Sequence, residues 1–209
     1  MRQRPARSLV SVGRPTRWET DTKPNHSEWY IERFRTMAAE GADLGGEARL
    51  IDAMVPPHSR VLDGGCGPGR LGAVLHERGH TVVGVDADAQ LIAAAEHDHP
   101  GPRWIVADLA ELDLAALGEP DPFAAAVLAG NVMVFLAAGT ETDVLRSVAD
   151  HVIADGLVVT GFHVHRELPL GRFDEAVAAA GLRIEHRFAT WDLRAWHDDA
   201  DFAVTVLRR

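Results

Sequence analysis

Residues 61–69 read VLDGGCGPG: an apolar pair, an acid, then glycines at 64, 65, 67 and 69. This order predicts a buried parallel strand that stops abruptly and turns tightly into a helix at its carboxyl end. Glycine suits such a turn because it takes positive φ without a Cβ clash and lets a ligand lie directly against the backbone. The loop is therefore expected to hold a nucleotide-like ligand through main-chain contacts.

On either side of this loop the pattern extends into a regular alternation. Residues 47–54 and, before them, a helix carrying Trp29, Tyr30, Arg33, Phe34 and Met37 precede the first strand. After it come a helix over 70–78, a strand at TVVGVD (81–86), a helix capped by Asp88, a strand at 103–107 and a strand at 123–129. A helix over 141–152 behind Thr140, a strand at 157–162, a helix over 171–180 and strands at 182–190 and 202–207 complete the series. Such alternation predicts an α/β fold: a Rossmann-like, doubly wound sheet with helices on both faces and right-handed crossovers. The last two strands are separated by only about a dozen residues with little helical period, which suits an antiparallel return. The expectation is a mostly parallel seven-stranded sheet with one antiparallel strand near its edge, and a ligand at the switch point between the first and fourth strands.

Composition narrows the function classes. The 209 residues suit one domain, and a formal net charge of -10 disfavours a nucleic-acid partner, which needs a basic footprint. Cys66 is the only cysteine, and no apolar run is long enough to span a bilayer, so no membrane partner and a cytoplasmic location are expected. Residues 1–24 carry five arginines, a lysine and three prolines without a helical or strand period, and are expected to form a mobile basic tail ahead of a domain over 25–209.

Two ligand classes combine a glycine loop with an acid at the end of the second strand. Gly67, Gly69 and Gly72 satisfy the dinucleotide spacing G-x-G-x-x-G, with Asp86 19 residues beyond Gly67. A reading that starts at Asp63, as D-x-G-x-G-x-G, accounts for more of the chain. VLDGGCGPG, VVGVDAD, the acid in VADL and AGNVMVFL resemble the four successive ligand motifs of class I S-adenosylmethionine-dependent methyltransferases. The stretch YIERFRTMAAEGADLGGEARLIDAM and the late TWDLRAW are similar to small bacterial tellurite-resistance-type methyltransferases.

This resemblance implies S-adenosylmethionine as cofactor and a small-molecule methyl acceptor, and it implies a task for individual residues. Gly65, Cys66, Gly67 and the loop backbone would lie against the methionine part, with Asp63 near its ammonium. Asp86 would accept from both ribose hydroxyls, Asp108 from the adenine amino group, with Ala87 and Leu109 beside the base. Ala129, Gly130 and Asn131 would face the sulfonium and the acceptor, and Arg33 or Arg35 would pair with the methionine carboxylate.

Plainer readings stand beside these. Asp86 and Asp108 also suit strand-end caps, although two such acids at the right strand ends favour the ligand reading. Cys66 is read as a small loop filler, because cofactor-dependent methyl transfer needs no nucleophile. His163 and His165, alternating past the fifth strand, are candidate general bases with Asn131 nearby; with no third ligand beside them, no metal is expected. A nicotinamide oxidoreductase and a non-catalytic cofactor-binding protein are the competing functions. The oxidoreductase reading leaves Asp108 and Asn131 unexplained.

Overall fold

In the computed structural model, which describes residues 14–209, the neighbours Val61 and Leu62 pack into two different hydrophobic layers. Successive side chains of a strand face opposite sides of its sheet, so an apolar pair in sequence means a strand covered on both faces. Burial of each such side chain stabilises the fold by about 1.5–3 kcal/mol, enough to demand helices on both sides.

The strands are β1 (Arg60–Gly64), β2 (Thr81–Asp86), β3 (Arg103–Val106), β4 (Phe123–Leu128), β5 (Val152–His163), β6 (Arg183–Phe188) and β7 (Phe202–Arg208). They form one seven-stranded sheet in the order β3-β2-β1-β4-β5-β7-β6. β1 pairs parallel with both β2 and β4, with Asp63 opposite Gly84 on one side and Val127 on the other. β7 runs antiparallel between β5 and β6, as the short connection after β6 predicts. The chain winds outward from β1 to β3, then returns to β4, so the switch point lies between β1 and β4.

The helices are α1 (Arg17–Thr20), α2 (His26–Ala39), α3 (Gly46–Met54), α4 (Arg70–Glu77), α5 (Ala89–Asp98), α6 (Val132–Phe135), α7 (Glu141–Asp150) and α8 (Leu170–Ala179). Leu71 and Leu75 of α4 join Val61, Val127 and Val159 on one face, while Leu145, Val148 and Phe173 of α7 and α8 join Leu62 and Leu128 on the other. Asp88 caps α5 by accepting from the Gln90 N–H at 2.8 Å.

The N-terminal expectation needs correction. Residues 1–13 lie outside the described residues, but the part of the expected tail beyond them contains α1. Thr16 and Glu19 close a reciprocal capping box around it, with the Glu19 carboxylate 2.8 Å from the Thr16 N–H. Trp18 anchors the turn, meeting Tyr30 and Phe135 edge-on with centroids 5.2 and 5.3 Å away. An aromatic anchor of this kind adds about 0.5–1.5 kcal/mol per pair beyond area burial. That explains how so short and basic a segment is held on the body.

Candidate active site

The carboxyl ends of β1, β2, β3 and β4 open into one pocket, because parallel strands bring their ends to the same edge of the sheet. Its floor is the glycine loop. Gly65 donates its N–H to the Val85 carbonyl at 2.7 Å, and Cys66 does so at 3.0 Å, which pins the loop to the end of β2. Gly65 has φ +70°, and a Cβ there would meet Val132 Cγ2 at 2.4 Å. Gly67, at φ +56°, would direct a Cβ toward the Tyr30 ring 3.6 Å away, within the pocket. Both positions need glycine, the first for space and the second to keep the backbone open to a ligand.

Three acids mark three successive strand ends. Asp63 closes β1, is 2% exposed, and accepts from the Gly72 N–H at 3.0 Å. Burial pushes its carboxyl up to about 7, with Arg70 and the Gly72 N–H opposing. Asp86 closes β2. Its two oxygens accept from the Gly67 and Asp88 N–H groups, each at 2.9 Å. Burial likewise raises its carboxyl to about 6, against the pull of those two hydrogen bonds. Asp108, past β3, accepts from the Ala110 N–H at 2.9 Å and caps a single 3-10 turn (Leu109–Glu111). Asp86 and Asp108 are thus caps and pocket walls at once, because a cap uses one lone pair of an oxygen that carries two.

Ala87 and Leu109 stand beside these acids in the wall, and Ala129 and Gly130 reach it from β4. Cys66 also lines the pocket while packing against Ile92, Ala95 and Trp104. Burial holds its thiol well above the ordinary range, which keeps it protonated and poor as a nucleophile.

Not every expected residue is brought together here. Arg35 lies outside the pocket: its guanidinium binds Asp98 at 2.9 Å and Glu32 at 2.6 Å on the exposed face of α2. Arg33 sits over the Trp29 ring, also away from the wall. Each is one residue from Phe34, so the helix turns it about 100° round from the inward stripe that Tyr30 and Phe34 form. The cation in the wall is Arg70, at the start of α4, which holds Glu47 through two bonds at 2.7 and 2.9 Å and donates to the Leu44 carbonyl.

Asn131 also lies behind the wall. Its side-chain oxygen accepts from the His163 N–H at 2.9 Å and its own N–H donates to the Gly161 carbonyl, tying the segment after β4 to the end of β5. His163 and His165 are exposed and line no part of this pocket; the His163 Nδ1 lies 3.3 Å from the Asp201 carbonyl.

A cap closes the pocket from the N-terminal side. Tyr30 and Phe34 of α2 and Trp18 of α1 line it, and the Trp18 Nε1 donates to Asp88 at 3.0 Å. Ser27 donates to the same Asp88 oxygen. The Thr16-x-x-Glu19 capping box was the sequence signal for α1, hidden among the arginines and prolines around it.

The donor set suits one kind of ligand. Asp63, Asp86, Asp88, Asp108 and Glu19 line the pocket together with a single guanidinium, Arg70, that Glu47 already neutralises in part. An adenosine derivative carrying extra positive charge answers that balance, since carboxylates accept from hydroxyl and amino groups and attract ammonium and sulfonium. A dinucleotide, whose pyrophosphate seeks unopposed N–H groups, fits it less well.

Comparison with known proteins gives the same direction. Residues 61–156 match a methyltransferase-domain family. A TehB-like SAM-dependent methyltransferase of Corynebacterium glutamicum is 42% identical, with a TM-score of 0.82, over 88% of this chain and 98% of that one. A malonyl-[acyl-carrier protein] O-methyltransferase of Pectobacterium atrosepticum is 37% identical over 79 residues, covering 37% of this chain and 30% of that protein. A trans-aconitate 2-methyltransferase of an Azoarcus species is 42% identical over 77 residues, covering 36% of this chain and 28% of that protein. The chain thus spans less than a third of these two curated relatives. The likeness to the Corynebacterium enzyme, which covers nearly all of that chain, places this chain in the family of S-adenosylmethionine-dependent methyltransferases.

Proposed function

We propose that this chain transfers a methyl group from S-adenosylmethionine to a small-molecule acceptor by in-line displacement. The observation that carries this reading is the convergence of Asp63, Asp86 and Asp108, from three adjacent strand ends, on a pocket floored by the open backbone of Gly65 and Gly67. When bound, the cofactor supplies a methyl carbon already activated by its sulfonium. The protein's work is then alignment and exclusion of water, which is worth up to about 7–11 kcal/mol of barrier.

In this assignment Asp86 accepts from the ribose hydroxyls with the lone pairs that Gly67 and Asp88 leave free. Asp108 accepts from the adenine amino group, with Ala87 and Leu109 against the base. Asp63 faces the ammonium, Gly65, Cys66 and Gly67 lie along the methionine part, and the carbonyls of Ala129 and Gly130 face the sulfonium. Arg70 takes the carboxylate role first considered for Arg35, because it is the guanidinium within reach. Asn131 positions the Ala129–Gly130 backbone from behind. We take the catalytic domain to begin at α1 rather than at residue 25.

Among the described residues no helix is long and apolar enough to cross a membrane. Buried, unpaired Cys66 and a net charge of -10 favour a cytoplasmic enzyme acting on metabolites rather than nucleic acid.

Calorimetric titration with S-adenosylhomocysteine and, separately, with NAD tests the cofactor. Saturable binding of the first alone is expected; binding of NAD alone overturns the proposal. Transfer of labelled methyl groups into a metabolite pool then separates an enzyme from a binding protein.

A further inference from the structure

Tyr30 lines the cofactor pocket, and its hydroxyl has no hydrogen-bond partner among the described residues. It is the exception in that wall. Thr16 and Glu19 bind each other, Trp18 donates to Asp88, and the four aspartates at the strand ends accept from backbone N–H groups. Arg70 holds Glu47. A polar group drawn into a folded chain costs stability while it lacks a partner, so one free hydroxyl in an otherwise satisfied wall marks a place for a ligand atom.

Two distances locate this oxygen. A Cβ on Gly67 would stand 3.6 Å from the Tyr30 Cε1, and a Cβ on Gly130 would stand 3.8 Å from its Oη. Gly67 belongs to the loop after β1 and Gly130 follows β4, so the ring lies beside the first and its hydroxyl reaches the second across the switch point. The ring edge therefore covers the backbone assigned above to the methionine part, and the oxygen stands over the backbone assigned to the sulfonium. Its aim is fixed by neighbouring rings. Phe34, one turn further along α2, meets Tyr30 edge-on with centroids 4.8 Å apart, and Trp18 does so from 5.2 Å. Asn131, the other side-chain oxygen expected near this point, is spent on the His163 N–H behind the wall.

We infer that the Tyr30 hydroxyl is the side-chain group that contacts the sulfonium and its methyl, which makes Tyr30 a catalytic residue as well as part of the cap. This rests on the methyltransferase reading and adds a residue and its role to it. A phenol oxygen turns a lone pair toward a cation while its O–H bond rotates aside. Fixed beside the methyl, that oxygen attracts the positive charge there and holds the methyl in line for the acceptor without having to reorganise. The role needs no proton transfer. Burial raises the phenol above its ordinary range, with Arg70 and Arg33 opposing, so the group stays protonated and neutral. The attraction lasts only while sulfur carries charge, so the hydroxyl favours the methyl donor over the spent thioether.

That preference gives a test that needs no acceptor. Calorimetry compares the full chain with its Tyr30→Phe variant, which keeps the ring and its edge contacts. Three ligands are titrated: S-adenosylmethionine, S-adenosylhomocysteine, which is neutral at sulfur, and sinefungin, which carries an ammonium on carbon where the donor has methyl on sulfur. Tyr30→Phe should weaken S-adenosylmethionine and sinefungin by about fivefold or more while S-adenosylhomocysteine stays within about twofold. Phe34→Leu, which removes a ring contact and leaves the oxygen, should change all three affinities alike. An equal loss for the three ligands in Tyr30→Phe would put the hydroxyl on the methionine arm or make it packing alone, and overturns the proposal. No loss in Tyr30→Phe, or a charge-selective loss in Phe34→Leu, overturns it too. Failure of the unmutated chain to bind any of the three would instead overturn the cofactor reading beneath it.

Discussion

The Asp86 carboxylate accepts from the Gly67 N–H at 2.9 Å, so the acid at the end of the second strand holds the glycine loop that follows the first. Asp86 therefore has two tasks in the proposed site, orienting the loop and receiving the ribose hydroxyls. Asp86→Ala removes both. Each charge-assisted bond is worth about 1.5–3 kcal/mol, so affinity for S-adenosylhomocysteine should fall at least tenfold while the circular dichroism of the fold persists. Calorimetry on the variant checks this, and an unchanged dissociation constant would return Asp86 to a purely structural cap.

Arg70 and Arg35 make a paired prediction. Arg35→Ala should leave cofactor affinity within twofold, because its guanidinium is spent on Asp98 and Glu32 outside the pocket. Arg70→Ala should weaken S-adenosylhomocysteine by tenfold or more but hardly affect 5′-methylthioadenosine, which lacks the amino-acid arm. Equal losses for the two ligands would show that Arg70 acts only by holding Glu47 and the start of α3.

Asp63 supplies a pH test. Its carboxyl is pushed up to about 7 by burial, whereas an unfolded aspartate titrates near ~4. Between those values the folded chain binds more protons than the unfolded one, so this group's contribution to stability is present at low pH and lost as pH rises through about 7. Asp63→Asn keeps an oxygen for the Gly72 N–H and cannot ionise. Its melting temperature relative to the unmutated chain should therefore rise between pH 5 and pH 7.5. Thermal melts at the two values decide it; a difference that does not change with pH would mean that Asp63 stays ionised in the fold.

Sheet order and site were legible in the sequence to different depths. The apolar pairs at 61–62 and 82–83 announced strands buried on both faces, and the brief link after residue 190 announced the antiparallel return, because strand period and connection length are local. Gly72 shows where spacing misleads. It completes the dinucleotide pattern, but a Cβ there would meet Trp104 at 2.8 Å, and a Cβ on Gly84 would meet the same ring at 2.2 Å. Those glycines answer a tryptophan from β3, a tertiary fact invisible to spacing. Arg35 was misplaced for a related reason: a helix can be read from its period, but the direction its polar face takes depends on how it docks, here through Asp98 of α5. α1 is hard to see in the sequence, because the basic residues and prolines around it outweigh a four-residue capping signal.

The last prediction concerns that cap. α1 and α2 reach the cofactor pocket through Trp18, Tyr30 and Phe34, and α1 is a single turn held by the Trp18–Asp88 bond and a few ring contacts. Segments with so few anchors open at low cost, which suits a cover that must admit the cofactor and then exclude water. Hydrogen exchange with S-adenosylhomocysteine should show added protection over 16–39 as well as over 63–70. Trp18→Ala should raise exchange in 16–39 without ligand and weaken binding severalfold. Tyr30→Ala should lower turnover more than affinity, since its ring completes the closed state above Gly67. If only residues 63–70 gain protection, α1 and α2 are fixed packing, and the cofactor must enter past the Gly130–Phe135 side instead.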